Sequence, residues 1–209
     1  MKSLEEVRLY CFSPGDFLMG GDPVEMIAAQ IRGGADLIQL REKNMPKKGA
    51  LELGLAIRNL TTQEGIPFIV NDDLDLAMIL EADGVHLGQD DIPIKYARPL
   101  LKDKIIGIST HSLSQAREAI RGGADYIGLG PVFETKTKTK ADPVVGIDLI
   151  LKVQELSPVP VIAIGGLGES NIGLLVNRGI KRAAVISDIF SSTDIEAKTR
   201  ALKQKLRGA

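Results

Sequence analysis

Two acidic clusters stand close together in the chain, Asn71-Asp72-Asp73 and Gln89-Asp90-Asp91. Each follows a short apolar run rich in β-forming residues, Pro67-Phe68-Ile69-Val70 before the first and Gly84-Val85-His86-Leu87 before the second. Each cluster therefore reads as the C-terminal end of a strand. Carboxylates brought to one rim by neighbouring strands suit a hard divalent cation, and Mg²⁺ commonly takes one or two from protein. A plainer role fits the same residues. Asp72 and Asp73 could cap the helical pattern of Leu74, Leu76, Ala77 and Leu80, with Asp90 and Asp91 in solvent.

Other candidate groups also follow apolar runs. Leu37-Ile38-Gln39-Leu40 leads into Arg41-Glu42-Lys43, and strand alternation puts Gln39, Arg41 and Lys43 on one face. An amide and two cations there suit an anion such as phosphate; the alternative is a pair of solvated loop charges. Ser109 and His111 point toward the same mouth, while Ser112 suits the N-cap of the following helix. His86, inside an apolar strand, reads as a satisfied core histidine rather than a metal ligand. Gly128-Leu-Gly-Pro leads into a loop holding Thr135, Thr137 and Lys138 between Lys136 and Lys140, a candidate lid over phosphates across residues 134–142. Gly165-Gly166 follows one strand, and Ser187 follows Ile186 at the end of the next.

These groups need a scaffold that gathers strand ends. Short β-like runs alternate with helical patterns from one end of the chain to the other. Arg32-Gly-Gly-Ala-Asp36 recurs as Arg121-Gly-Gly-Ala-Asp125, a repeated joint in which glycine ends a helix and Ala-Asp launches a strand. The pattern predicts eight strands, at residues 7–12, 36–40, 67–70, 83–87, 105–108, 125–129, 160–164 and 182–186. It predicts helices near 23–32, 47–63, 73–81, 93–101, 112–121, 146–156, 169–177 and 193–206. Eight strand–helix units in one chain point to an α/β fold, a (β/α)8 TIM barrel. A doubly wound open sheet is the alternative, since alternation cannot tell closed from open. No linker or composition shift divides the chain, so residues 1–209 are expected to form a single domain. In a TIM barrel the chemistry belongs at the C-terminal ends of the strands, and the loops after strands 7 and 8 commonly hold phosphate. Nearly every candidate above falls at such an end.

Composition narrows the partners. A net charge of −1 gives no general attraction to nucleic acid or anionic membrane, and the absence of Trp disfavours a base-stacking surface. No apolar run approaches a membrane span, and the first residues carry no apolar signal core. Cys11 is the single cysteine and reads as core, so no internal disulfide forms and a cytoplasmic setting is expected.

Taken together, the motifs resemble the thiamine-phosphate synthase family. The resemblance runs from about Asp22 to Ile189 and is carried by Q-L-R-E-K (39–43), N-D-D (71–73), D-G-V-H-L-G-Q-D-D (83–91), G-I-S-T-H (107–111), G-L-G-P-V-F-E-T-K-T-K (128–138), A-I-G-G (163–166) and V-I-S (185–187). It implies a TIM-barrel transferase that joins 4-amino-2-methyl-5-(hydroxymethyl)pyrimidine diphosphate to hydroxyethylthiazole phosphate or its carboxylated form. The products would be thiamine phosphate and pyrophosphate. The same resemblance assigns Asp72 and Asp91 to Mg²⁺, and Arg41, Lys43, Ser109 and Lys138 to the leaving diphosphate. Gln39 and Asn71 would order the pyrimidine, and Thr135, Thr137, Gly166, Ile186 and Ser187 would bind the thiazole phosphate. The expected partners are small phosphorylated substrates; the oligomeric state is open, a homodimer among the options. The alternative is the thiazole tautomerase branch, an isomerase that shares the barrel, Q-x-R-E-K and a histidine at the position of His111. That branch lacks the second aspartate and the T-x-T-K loop, both present here. A non-catalytic sensor is a reading of another class, and nothing in the sequence supports it. One departure is Cys11-Phe12-Ser13-Pro14, where the family commonly has a Thr-Asp-like ending.

Overall fold

Strands buried on both sides need apolar residues in both alternating sets, and the first strand shows how this chain divides them. In β1 (Leu9–Phe12), Leu9 and Cys11 pack outward with the helices, whereas Tyr10 and Phe12 face the interior of a barrel. The computed structural model describes residues 3–18, 20–135 and 142–208. The remaining strands are β2 (Leu37–Leu40), β3 (Phe68–Asn71), β4 (Gly84–Leu87), β5 (Ile105–Thr110), β6 (Tyr126–Leu129), β7 (Val161–Ile164) and β8 (Ala183–Ala184). They pair in sequence order, all parallel, and β8 closes on β1 through Leu9↔Ala183 and Tyr10↔Ala184. The closed sheet settles the alternative the sequence left open: this is a (β/α)8 barrel.

Around it lie α1 (Pro23–Arg32), α2 (Lys47–Glu64), α3 (Leu74–Ile79), α4 (Ile94–Leu101), α5 (Leu113–Arg121), α6 (Gly146–Leu156), α7 (Ile172–Val176), α8 (Ser187–Phe190) and α9 (Ile195–Arg207). The cap foreseen at Ser112 forms, accepting from Gln115 N, and Asp22 caps α1 by accepting from Val24 N. Among the described residues no helix is long and apolar enough to cross a membrane.

Three elements depart from the sequence expectation. β8 is only two residues long: Val185 N still reaches Tyr10 O at 3.1 Å, but Ile186 then turns away (φ −119°, ψ −80°) into the unforeseen α8. α7 starts at Ile172 rather than near 169 because the Asn171 amide folds back, accepting from Gly168 N and donating to Gly166 O. Asp73 occupies the N-cap position of α3 without a capping side-chain bond and pairs with Lys47 at 3.0 Å instead.

The repeated Ala-Asp joint has a clear mechanical role. Asp36 Oδ2 accepts from Arg8 N and Leu9 N, both at 2.9 Å. Asp83 Oδ2 accepts from Phe68 N at 2.8 Å, and Asp125 Oδ2 from Ile106 N at 2.7 Å. Each aspartate before an even strand thus holds the first amides of the preceding odd strand. A cation balances each one: Lys203, Arg58 and Arg98 respectively. The residue two before the aspartate is left-handed in all three joints, as Gly34, Glu81 and Gly123. The Asp36–Lys203 pair is the most deeply buried, with 2% and 7% of the side chains exposed.

Asp36→Ala removes the carboxylate facing a buried ammonium and the acceptor of two amides. It is expected to lower the unfolding free energy by about 3–5 kcal/mol. Urea unfolding measures the loss, and Lys203→Met in the same chain should restore part of it. A loss below about 1 kcal/mol would show that the pair contributes little net stability.

Candidate active site

Because all strands run parallel, their C-terminal ends form one rim, and a cavity opens there. Counting its open mouth it encloses about 1120 Å³. Gln39, Arg41, Lys43, Asn71, Asp72 and Asp91 line it, as do Ser109, Thr135, Gly166, Ile186 and Ser187. Every site residue named from the sequence is therefore brought to this cavity except Thr137 and Lys138, which lie outside the described residues, as do Lys136 and Lys140.

The acidic pair is held from both sides. Asp91 Oδ2 accepts from Gly88 N at 2.6 Å, so the turn after β4 fixes the carboxylate. Asp91 is half-buried, not exposed in the way its loop position suggests. Asp72 takes a left-handed backbone (φ 63°), with its N–H donating to His86 O at 2.9 Å. The plainer sequence reading of Asp72 as a helix cap fails, since Asp73 takes that position. Burial raises the Asp72 carboxyl to about 6, hydrogen bonding with Asp91 adds to the rise, and the Lys43 ammonium opposes it from 3.4 Å. Two carboxyl groups this close resist ionising together unless a cation joins them. Among the described residues no group of three or more ligating side chains exists, so Asp72 and Asp91 are the candidates for holding a metal.

The cations lie beside this pair. Arg41 N donates to Ser13 Oγ at 2.8 Å and Ser13 N to Gln39 O at 2.8 Å. The unusual Cys11-Phe12-Ser13-Pro14 ending thus braces the β2 loop through its serine. Burial lowers the Arg41 guanidinium, with Asp72, Asp16 and Glu42 opposing; it stays protonated. On the opposite rim Gly165 and Gly166 are both left-handed (φ 97° and 64°). A Cβ would meet Pro131 Cα at 2.5 Å from Gly165 and Glu134 O at 2.4 Å from Gly166, so only glycine fits.

His86 is satisfied, as expected, but on the cavity wall rather than in the core: its ring nitrogens meet the Tyr126 hydroxyl and Ser109 Oγ, each at 2.8 Å. His111 Nδ1 donates to Gly130 O at 2.5 Å, and Nε2 lies 3.3 Å from Asp142. The imidazole therefore ties the β5 and β6 loops together. Sequence reasoning missed the apolar floor, where Tyr10 and Phe12 stack at 5.0 Å beside Ile162 and Ile164. Its signal was the period-2 alternation of β1, which already turns Tyr10 and Phe12 to one face.

The fold and cavity define a TIM-barrel protein whose polar groups are collected at the carboxyl ends of the strands, where enzymes of this architecture work. More narrowly, the chain belongs to the family described as thiamine monophosphate synthase, whose profile matches residues 9–189. It is 44% identical over 204 residues to a thiamine-phosphate synthase of Pelotomaculum thermopropionicum, covering 97% of this chain and 94% of that protein. It is 42% identical to the thiamine-phosphate synthase of Shouchella clausii, covering 95% and 96%. The solved structure of a thiamine phosphate pyrophosphorylase from Pyrococcus furiosus superposes with a TM-score of 0.87 at 35% identity, covering 97% and 96%.

The raised Asp72 carboxyl makes a signed prediction for the metal-free protein. Its folded value near 6 lies above the unfolded value of 3.8, so the folded state holds the proton more tightly. Stability attached to this group is then full below about pH 4 and lost as pH rises through 6. Asp72→Asn, which cannot ionise, should raise the urea midpoint in EDTA at pH 8 and lose most of that pH-dependent advantage by pH 4.5. Asparagine also suits the left-handed backbone, a gain present at every pH. An advantage constant from pH 4.5 to 8 would mean Asp72 ionises freely.

Proposed function

We propose that the chain is a thiamine-phosphate synthase, joining 4-amino-2-methyl-5-(hydroxymethyl)pyrimidine diphosphate to hydroxyethylthiazole phosphate or its carboxylated form. The observation that carries the reading is the pairing of Asp72 and Asp91 beside Arg41, Lys43 and Ser109, opposite a glycine loop that only backbone donors could line. Family membership supports it, and the chain's likeness to thiamine-phosphate synthases favours the synthase over the tautomerase.

The reaction breaks the methylene carbon–oxygen bond of the pyrimidine, and the electron pair leaves with the diphosphate. The aminopyrimidine stabilises the resulting cation, and the thiazole nitrogen supplies the pair for the new carbon–nitrogen bond; from the carboxylated thiazole the carboxyl group leaves as CO2. No covalent nucleophile is needed; the residues neutralise the leaving group and position the two rings. Arg41, Lys43 and Ser109 would meet diphosphate oxygens, with Lys138 in the same role. Gln39 and Asn71 would order the pyrimidine, while Thr135, Thr137, Gly166, Ile186 and Ser187 would hold the thiazole phosphate. The apolar floor of Tyr10, Phe12, Ile162 and Ile164 suits flat rings and keeps water from the cation. Asp72 and Asp91 fit Mg²⁺, because a half-buried carboxylate pair with one weak ammonium partner favours a compact divalent cation. When bound, Mg²⁺ would supply positive charge to the leaving diphosphate.

Incubation with both substrates and Mg²⁺, assaying thiamine phosphate, tests the reading; isomerisation of the thiazole alone, without coupling, would overturn it. Asp91→Asn is expected to lower turnover by about 10²-fold or more with the fold intact. His111→Ala should cost less than about tenfold, because the imidazole is engaged with Gly130 and Asp142. A loss as deep as that of Asp91→Asn would assign His111 acid–base work.

A further inference from the structure

A file of side-chain hydrogen bonds crosses the barrel interior from β2 to β5. Gln39 Nε2 lies 2.5 Å from the Tyr10 hydroxyl, which lies 2.9 Å from the Tyr126 hydroxyl. Tyr126 meets His86 Nδ1 at 2.8 Å, and His86 Nε2 meets Ser109 Oγ at 2.8 Å. As hydrogen-bonding groups, the chemistry above uses only the two ends of this file, Gln39 and Ser109. Its middle is built with care: a Cβ on Gly107 would sit 2.0 Å from Tyr126 Cζ, and one on Gly128 3.2 Å from His86 Cε1.

The direction of each bond follows from the protons available. An amide nitrogen only donates, so Tyr10 accepts from Gln39. Tyr10 is buried, and among the described residues its one other hydrogen-bond partner is Tyr126. Its own proton therefore goes to the Tyr126 oxygen. Tyr126, fully buried, then has its single proton for His86 Nδ1. Burial holds both phenols above their ordinary range, so both remain protonated donors. An imidazole that accepts at Nδ1 carries its proton on Nε2 and donates it to Ser109. The Ser109 oxygen has then accepted, and its own proton is left for a ligand in the cavity that Ser109 lines.

We infer that Tyr126 and His86 are positioning residues that lock the Ser109 hydroxyl as a one-way donor into the cavity, with the Gln39 amide fixing the polarity of the file. The inference rests on the proposed function in one respect, that Ser109 meets an oxygen of the leaving diphosphate. A freely rotating hydroxyl accepts as readily as it donates. One locked as a donor meets the negative charge that develops on the departing oxygen without turning as the bond breaks.

The test reads the tautomer and the turnover separately. In ¹⁵N-labelled protein without substrate, NMR of His86 should show the Nε2–H tautomer; a His111→Gln variant removes the signals of the other histidine. An Nδ1–H tautomer would mean the file runs the opposite way, from Ser109 toward Gln39, and would overturn the inference whatever the substrate. Tyr126→Phe should mix the tautomers and lower kcat about tenfold, leaving KM for the pyrimidine diphosphate within about twofold. Tyr10→Phe cuts the file between the Gln39 amide and Tyr126 and should also mix the tautomers; an unmixed Nε2–H tautomer would overturn the part given to Gln39. In the Ser109→Ala background, Tyr126→Phe should cause no further loss; additive losses would show that Tyr126 acts by another route and overturn the inference. Wild-type turnover in Ser109→Ala with the Nε2–H tautomer intact would overturn the catalytic role alone, and would locate the failure in the substrate reading rather than in the file.

Discussion

Two backbone hydrogen bonds, from Ala183 N to Arg8 O at 2.9 Å and from Val185 N to Tyr10 O at 3.1 Å, close the sheet on itself. A parallel sheet left open would end in two unpaired edges. Closure pairs them and sends every strand's carboxyl end to one rim. The last strand does this with two small residues, Ala183 and Ala184. Its brevity lets the chain turn at once into the short helix beginning at Ser187. At the opposite end, Asp36, Asp83 and Asp125 hold the first amides of β1, β3 and β5. Order at the foot of the barrel fixes the start of each of these strands, whose other ends meet at the mouth.

The mouth itself runs against stability. Asp72 carries a left-handed backbone without being glycine, and burial and its neighbour Asp91 both raise its carboxyl. A residue selected only for folding would relieve both strains. The interior file from Gln39 through Tyr10, Tyr126 and His86 to Ser109 is another departure from an apolar core. It is tolerable because each member has partners, and satisfied polar groups rigidify a core where unsatisfied ones destabilise it. These departures converge on the same cavity, where local rules of folding are most often set aside.

Much of this was legible before any coordinates. Period-2 alternation put Gln39, Arg41 and Lys43 on one face, and all three line the cavity. The fate of Asp72, Asp91 and Ser109 was readable because each stands where an apolar run stops. Harder to read were Tyr10, Phe12 and Tyr126, whose types and positions fit an ordinary core as well as a ring-binding floor. Nor could the sequence say that the serine of Cys11-Phe12-Ser13-Pro14 would brace Arg41, because that bond joins residues 28 apart.

The sequence by itself determined the eight-fold alternation, the residues that end each strand and the family to which those motifs belong, because these depend on local order along the chain. The tertiary structure decided what requires distance. It showed the sheet closed rather than open, and it brought Tyr10 to Tyr126 across 116 residues. It set Asp72 against Asp91 closely enough for that neighbour to add to the rise of the Asp72 carboxyl. Hydrogen bonds and charge coupling fall off within a few ångströms, and separation in sequence says nothing of separation in space until the barrel closes.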